Sequence, residues 1–171
     1  MLKKNSITSN IILIGMMGSG KTTVGQLLSS YLNFTFIDTD RLIEKQQGMS
    51  VDDIFKQKGE SYFRKLESNI ITDLPKTHAV ISTGGGLPIY NDNSSKLNRL
   101  GITLYLEANE QSILKRIPIQ SGRPLFSSKK GDISNLISNR KEVYNKAKYI
   151  INTNDKSPDK VMNSILKILF G

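Results

Sequence analysis

Eight residues near the start of the chain, Gly15-Met16-Met17-Gly18-Ser19-Gly20-Lys21-Thr22, have the makings of a phosphate cradle. They fit the spacing G-x-x-x-x-G-K-[ST]. Glycines at these positions let the backbone turn where a Cβ would forbid it. The loop's N–H groups then face inward, at the positive end of the helix that follows. Lys21 can reach β- and γ-phosphates, and the Thr22 hydroxyl can serve Mg²⁺. Gly18, Ser19, Gly20 and Thr23 complete the expected nucleotide contacts. The bland alternative is a glycine-rich turn that binds nothing. The flanks speak against it: Asn10–Ile14 is an apolar run of strand length, and residues 23–32 carry apolar side chains at helical spacing.

Other chemistry-bearing residues follow at intervals. Asp38 and Asp40 stand one residue apart after a second apolar run. Asp38 is placed to face the nucleotide's Mg²⁺ through its water shell, and Asp40 to accept hydrogen bonds from a polyol. The competing role is an N-cap for the next helix. Arg64 and Glu67, spaced i, i+3, are either a surface ion pair of small worth or a guanidinium fork aimed at an anion by Glu67. Gly84-Gly85-Gly86 ends a third apolar run, where a ligand could approach the backbone closely. No aspartate ends that run, so metal support falls to Asp38 beside Thr22. Arg123 lies in an aperiodic, glycine-bounded stretch, about 119–131. This reads as a lid whose arginine meets charge on a moving phosphoryl group, or as an ordinary loop. Arg140 sits in an apolar helical stripe with Ile133, Ile137, Tyr144 and Ala147, where it either snorkels or projects into a site to meet an anion.

These residues need a scaffold that brings strand ends together. Strand-like runs at residues 10–14, 34–37, 79–82, 102–106 and 149–152 alternate with helical patterns, and each run is apolar enough to be buried on both faces. Alternation of this kind predicts a three-layer α/β fold with a five-stranded parallel sheet between helices. Ligands then sit beyond the carboxyl ends of the strands, where Asp38, Asp40 and the Gly84–Gly86 turn fall. Helices are expected over about 41–45, 49–59, 60–74, 109–117, 133–148 and 159–169. One domain, residues 1–171, holds the whole, with a substrate-binding helical region at about 39–74.

At 171 residues the chain can bury about 70% of its unfolded surface, and it has no cysteine. No apolar run approaches the roughly 20 residues of a membrane span, and the N-terminus lacks a signal-peptide pattern. A cytoplasmic monomer is the default expectation, with no membrane and no nucleic-acid partner. The net charge of +9 comes from scattered lysines, 18 against six arginines. Scatter of this kind is a solvated basic surface that also draws in polyphosphate. In a lysine-rich chain an arginine is more often present for its bidentate fork. A basic stripe with interleaved aromatics, the mark of a nucleic-acid binder, is missing: the 6 tyrosines and 6 phenylalanines fall mostly in apolar stretches.

Taken in order, the P-loop, Asp38-Thr39-Asp40, Phe63-Arg64 with Glu67, the triple glycine, Arg123-Pro124-Leu125, and Arg140 with Tyr144 resemble the shikimate kinase family over nearly the whole chain. The resemblance implies the nucleoside-monophosphate-kinase type of fold and Mg²⁺- and ATP-dependent phosphorylation of the 3-hydroxyl of shikimate. It further implies that Asp40, Arg64, Gly85, Gly86 and Arg140 bind shikimate. The two arginines would clamp its carboxylate, and Glu67 would hold Arg64. Arg116 and a segment near Ser157-Pro158 would flank the adenine, and Arg123 would reach the phosphates. Lys21, Asp38 and Arg123 are then the catalytic set. Two departures are Thr22 where serine is common and Phe126 after Arg-Pro-Leu. The rivals are a kinase of another small acceptor, gluconate or a nucleoside monophosphate, and a nucleotide- or RNA-binding protein without kinase activity.

Overall fold

Five parallel strands carry the site at their carboxyl ends. They are β1 (Asn10–Ile14), β2 (Thr35–Asp38), β3 (Ala79–Ser82), β4 (Gly101–Glu107) and β5 (Tyr149–Asn152), in the spatial order β2-β3-β1-β4-β5. The computed structural model describes residues 7–117 and 132–171. The stretch expected to be a lid, with Arg123, lies outside the described residues.

The sheet's central strand shows why the fold has three layers. All five residues of β1 are buried, yet they serve two cores. Ile11 and Leu13 point to one face, where α1 (Lys21–Leu32) and α8 (Pro158–Phe170) supply Val24, Leu28, Val161 and Ile165. Ile12 and Ile14 point to the other face and meet Ile43, Phe63, Ile70, Leu97 and Tyr144. Alternation with a period of two therefore splits one apolar run between two helical layers. Each such aliphatic side chain, fully buried, is worth about 1.5–3 kcal/mol before entropy is counted.

The second face is built by α2 (Thr39–Gln47), α3 (Val51–Lys58), α4 (Glu60–Asp73), α5 (Asn93–Leu100) and α7 (Asp132–Tyr144); a short α6 (Glu110–Arg116) follows β4. The strands differ from expectation in one respect. The outer pair, β2 and β5, are not buried on both faces; only Ile151 of these eight residues is buried. They are the sheet's edges, each paired on one side only, so half their surface meets solvent or a single helix. Among the described residues no helix is long and apolar enough to cross a membrane.

Helix boundaries follow local chemistry. The Asp38 side chain accepts from the backbone N–H groups of Asp40 and Arg41, so α2 begins at Thr39, ahead of the expected Arg41. Ser50 caps α3 through Asp53, as its spacing predicts. Helix α5 and the 3-10 turn Leu87–Ile89 were not expected from the sequence. Asn93, fully buried, ties them together: its Nδ2 donates to Leu87 O at 2.9 Å and to Ser68 Oγ at 3.1 Å.

Candidate active site

A cavity of about 820 Å³ opens over the strand ends, and most of the described residues singled out by type and spacing line it from two sides. The donor side is the loop between β1 and α1. Gly15, Gly18 and Gly20 have φ of 140°, 73° and 96°, in the region that side chains rarely adopt. Gly20 stands at the N-cap of α1 with no side-chain cap, which leaves the first-turn N–H groups of that helix to a ligand. Ser19 Oγ is buried without a hydrogen-bond partner among the described residues, beside the loop's open face. Lys21 Nζ donates to Gly15 O and Met16 O, each at 2.8 Å, folding the ammonium across the loop. Thr23, in the first turn of α1, also lines the cavity.

Thr22 and Asp38 meet here. Thr22 Oγ1 donates to Asp38 Oδ2 at 3.1 Å, while Asp38 Oδ1 caps α2. The N-cap reading of Asp38 thus holds through Oδ1, while Oδ2 lies beside the Thr22 hydroxyl at the phosphate loop. A hydroxyl and a carboxylate side by side, next to a phosphate loop, are the hard oxygen donors that Mg²⁺ selects. The orphaned Ser19 hydroxyl and the uncapped helix end fit the phosphates that would carry the ion.

The acceptor side is built around the turn after β3. Arg64 and Arg140 are both buried, at 7% and 5% exposure, and both reach this turn. None of Gly84, Gly85 and Gly86 has positive φ, so backbone freedom is not why they are glycine. A Cβ on Gly86 would strike Arg64 Nη1, and one on Gly84 would strike Asp40 Oδ1. A Cβ on Gly85 would lie 3.2 Å from Arg140 Nη1. The glycines make room for the site's own side chains, a purpose the sequence did not show beside the ligand approach that it suggested.

Arg64 Nη1 donates to Glu67 Oε2 at 2.7 Å, with Glu67 only 1% exposed, so the pair is no surface ion pair. Arg140 is held differently. Its Nη1 lies 3.9 Å from Met16 Sδ, and no carboxylate stands within 4.0 Å of it among the described residues. Tyr144, one turn on, donates its hydroxyl to Gly85 O at 2.6 Å; burial pushes that hydroxyl up to about 12, so it stays a donor.

Burial pushes the Glu67 carboxyl up to about 7, against Arg64, which pulls it down; Asp40 adds to the rise and Arg140 opposes it. A group whose pKa is raised by folding stabilises the fold at low pH. That stabilisation is lost as pH climbs from the ordinary carboxylate range to about 7. Stability of the wild type should therefore fall across this window, and Glu67→Gln should flatten the fall. Denaturant midpoints measured from about pH 5 to about pH 8 check this, and parallel curves would contradict it.

Arg116 bridges the loop to the β5 end: Nη1 donates to Gly18 O at 3.3 Å and to Thr153 Oγ1 at 3.1 Å, and Nη2 donates to Thr153 O. Pro158 and Lys156 line the cavity on the same side. Thr153 was not singled out from the sequence, and neither were Glu60 and Tyr90, which touch Arg64.

A sequence profile described as shikimate kinase matches residues 17–170. The chain belongs to the shikimate kinase family. A family relative, the shikimate kinase of Persephonella marina, is 42% identical over 158 residues, 92% of this chain and 96% of that one. A solved shikimate kinase from Acinetobacter baumannii, in complex with shikimate, superposes with a TM-score of 0.89 at 33% identity, covering 94% of this chain and 92% of its own. A gluconokinase from Sinorhizobium meliloti superposes at 0.58 with 16% identity, covering 95% and 93%, a likeness of fold alone. As a shikimate kinase the protein is a phosphotransferase that uses ATP with Mg²⁺ and acts in aromatic amino acid biosynthesis.

Proposed function

We propose that this chain moves the γ-phosphoryl group of ATP to the 3-hydroxyl of shikimate between the two walls just described. The observation that carries the assignment is the pair Arg64 and Arg140, which reach the same glycine turn facing the P-loop across one cavity. On the donor wall, Gly18, Ser19, Gly20, Lys21, Thr22 and Thr23 hold the phosphates. Arg116 and Pro158 flank the base. On the acceptor wall, Arg64 and Arg140 clamp the carboxylate, Asp40 takes hydrogen bonds from ring hydroxyls, and Gly85 and Gly86 form the floor. Glu67 orients Arg64. The chain acts as one unit, with residues 39–74 as the acceptor-binding region; Arg123, outside the described residues, is assigned to the phosphates on the sequence alone.

Each group then has a task set by its position. Lys21 leaves the Gly15 and Met16 carbonyls for the β- and γ-phosphates and follows the charge as it spreads over the moving group. Mg²⁺, held by Thr22 and backed by Asp38, supplies neutralisation of phosphate charge. Asp38 has only Oδ2 to offer the site, since Oδ1 is committed to α2. We assign that oxygen to the metal shell and to orienting the attacking hydroxyl, because a loose transition state needs little help from a base. Closure of the acceptor wall around a bound acid excludes water that would otherwise hydrolyse ATP. We assign the reaction to the cytoplasm, a compartment that supplies ATP. The test is the product itself: ADP and a phosphomonoester on the 3-hydroxyl, seen by phosphorus NMR when shikimate and MgATP meet the enzyme.

A further inference from the structure

Arg64 is gripped by more than Glu67. Its Nε and Nη2 donate to Glu60 Oε1 at 3.1 and 2.8 Å, while Nη1 takes Glu67 on the opposite flank. The Tyr90 ring centroid lies 4.5 Å from the guanidinium carbon, and the Tyr90 hydroxyl donates to the same Glu60 oxygen at 3.3 Å. Arg64 and Glu67 line the cavity; Glu60 and Tyr90 do not. The fork is therefore held from behind as well as from within.

We propose that Glu60 and Tyr90 are positioning residues that aim Arg64 at the acid end of the substrate. The inference rests on the reading of Arg64 as a carboxylate clamp. A guanidinium has five N–H groups. Three are spent here, two on Glu60 and one on Glu67, which leaves one on each terminal nitrogen. Two parallel donors are what a bidentate carboxylate accepts. Glu60 opens α4 and Tyr90 follows the 3-10 turn after the glycines, so this brace also ties the helix that carries Arg64 to the turn that Arg140 reaches.

The brace has a sign that separates it from simple charge. Two carboxylates already face Arg64, so Glu60 subtracts from its pull on an incoming anion. If charge alone mattered, removing Glu60 would tighten shikimate binding. If aim matters more, removing it weakens binding, because a flexible cation must be ordered at each encounter. Glu60 is half-exposed, its side chain 45% accessible, so the effect is moderate and the fold survives the change.

The experiment is steady-state kinetics on the full chain for Glu60→Ala, Glu60→Gln, Tyr90→Phe and Arg64→Lys, and for Glu60→Ala combined with Arg64→Lys. Glu60→Ala should raise the shikimate KM about fivefold. Tyr90→Phe should raise it less, and Glu60→Gln, which keeps an acceptor oxygen, should fall between wild type and Glu60→Ala. The ATP KM and kcat should not move. Arg64→Lys cannot take the two-sided hold, so Glu60→Ala should add nothing on that background. An unchanged or lowered shikimate KM in Glu60→Ala overturns the brace, as does a rise that persists undiminished beside Arg64→Lys. A wild-type shikimate KM in Arg64→Lys would instead sink the clamp itself.

Discussion

Lys21→Ala should lower kcat by about three orders of magnitude while shikimate still binds. The reasoning starts from where the ammonium sits. Lys21 is 8% exposed and lies across the loop on two carbonyls, inside the cavity and next to the uncapped end of α1. A point charge so placed does most when negative charge builds and moves, since a contact equally good in ground and transition states would lower KM and leave kcat alone. The loss should thus appear in kcat more than in ATP affinity. Calorimetric titration with shikimate supplies the control, because the acceptor wall is built from other residues, Arg64 and Arg140 at the glycine turn. Turnover near the wild-type rate would remove Lys21 from the mechanism and the P-loop assignment with it.

The second large effect is expected at Arg140. Its alanine variant should raise the shikimate KM at least about thirtyfold and leave the ATP KM within about twofold. Arg140 is a buried cation held by the Tyr144 hydroxyl and the Met16 thioether, with no carboxylate within 4.0 Å of it among the described residues, so the fold bears its desolvation without a direct ion pair. An acid arriving in the cavity meets that cation with little competition. Arg64 is different, since Glu60 and Glu67 already balance it. Affinity for the acid should come mostly from Arg140 and its orientation mostly from Arg64. The same reasoning predicts that Arg140→Ala keeps or raises the melting temperature, unlike truncation of an apolar residue equally buried. Equal losses for shikimate and ATP, or a collapse in stability, would contradict the clamp.

How much of this was legible beforehand depends on the range of the interaction. The P-loop is a local pattern, and its strand and helix lie within one stretch of chain, so Gly15 to Thr22 could be read directly. Arg64 with Glu67 and Arg140 within its stripe were visible because helical spacing fixes which side chains share a face. The capping role of Asp38 was legible, since a short carboxylate at a strand end can accept from the helix that follows. Glu60 was passed over. A glutamate opening a helix reads as compensation of the helix dipole, although its i, i+4 spacing to Arg64 is the same kind of local signal that marked Glu67. Tyr90 reaches Glu60 across 30 residues of sequence, a contact that only the folded chain creates.

Helix α5 was missed for a related reason. Its sequence, NSSKLNRL, offers two leucines and a run of small polar residues that favour turns. Burial of Asn93 secures it through hydrogen bonds to Leu87 and Ser68, and apolar periodicity is blind to a polar residue used as a core strut. The triple glycine shows a further limit. Its presence at a strand end was plain, but the room it makes for Asp40, Arg64 and Arg140 was not, because three other elements bring those residues there.

The most direct measurement of the central claim is ADP release by the wild-type enzyme with MgATP and, in separate reactions, shikimate, gluconate and a nucleoside monophosphate, with phosphorus NMR on each product. The two-walled site predicts release that depends on shikimate, one phosphomonoester on its 3-hydroxyl for each ADP, and background rates with the other two. Release at a comparable rate with gluconate or the nucleotide, or ADP formed without any phosphorylated shikimate, would contradict it.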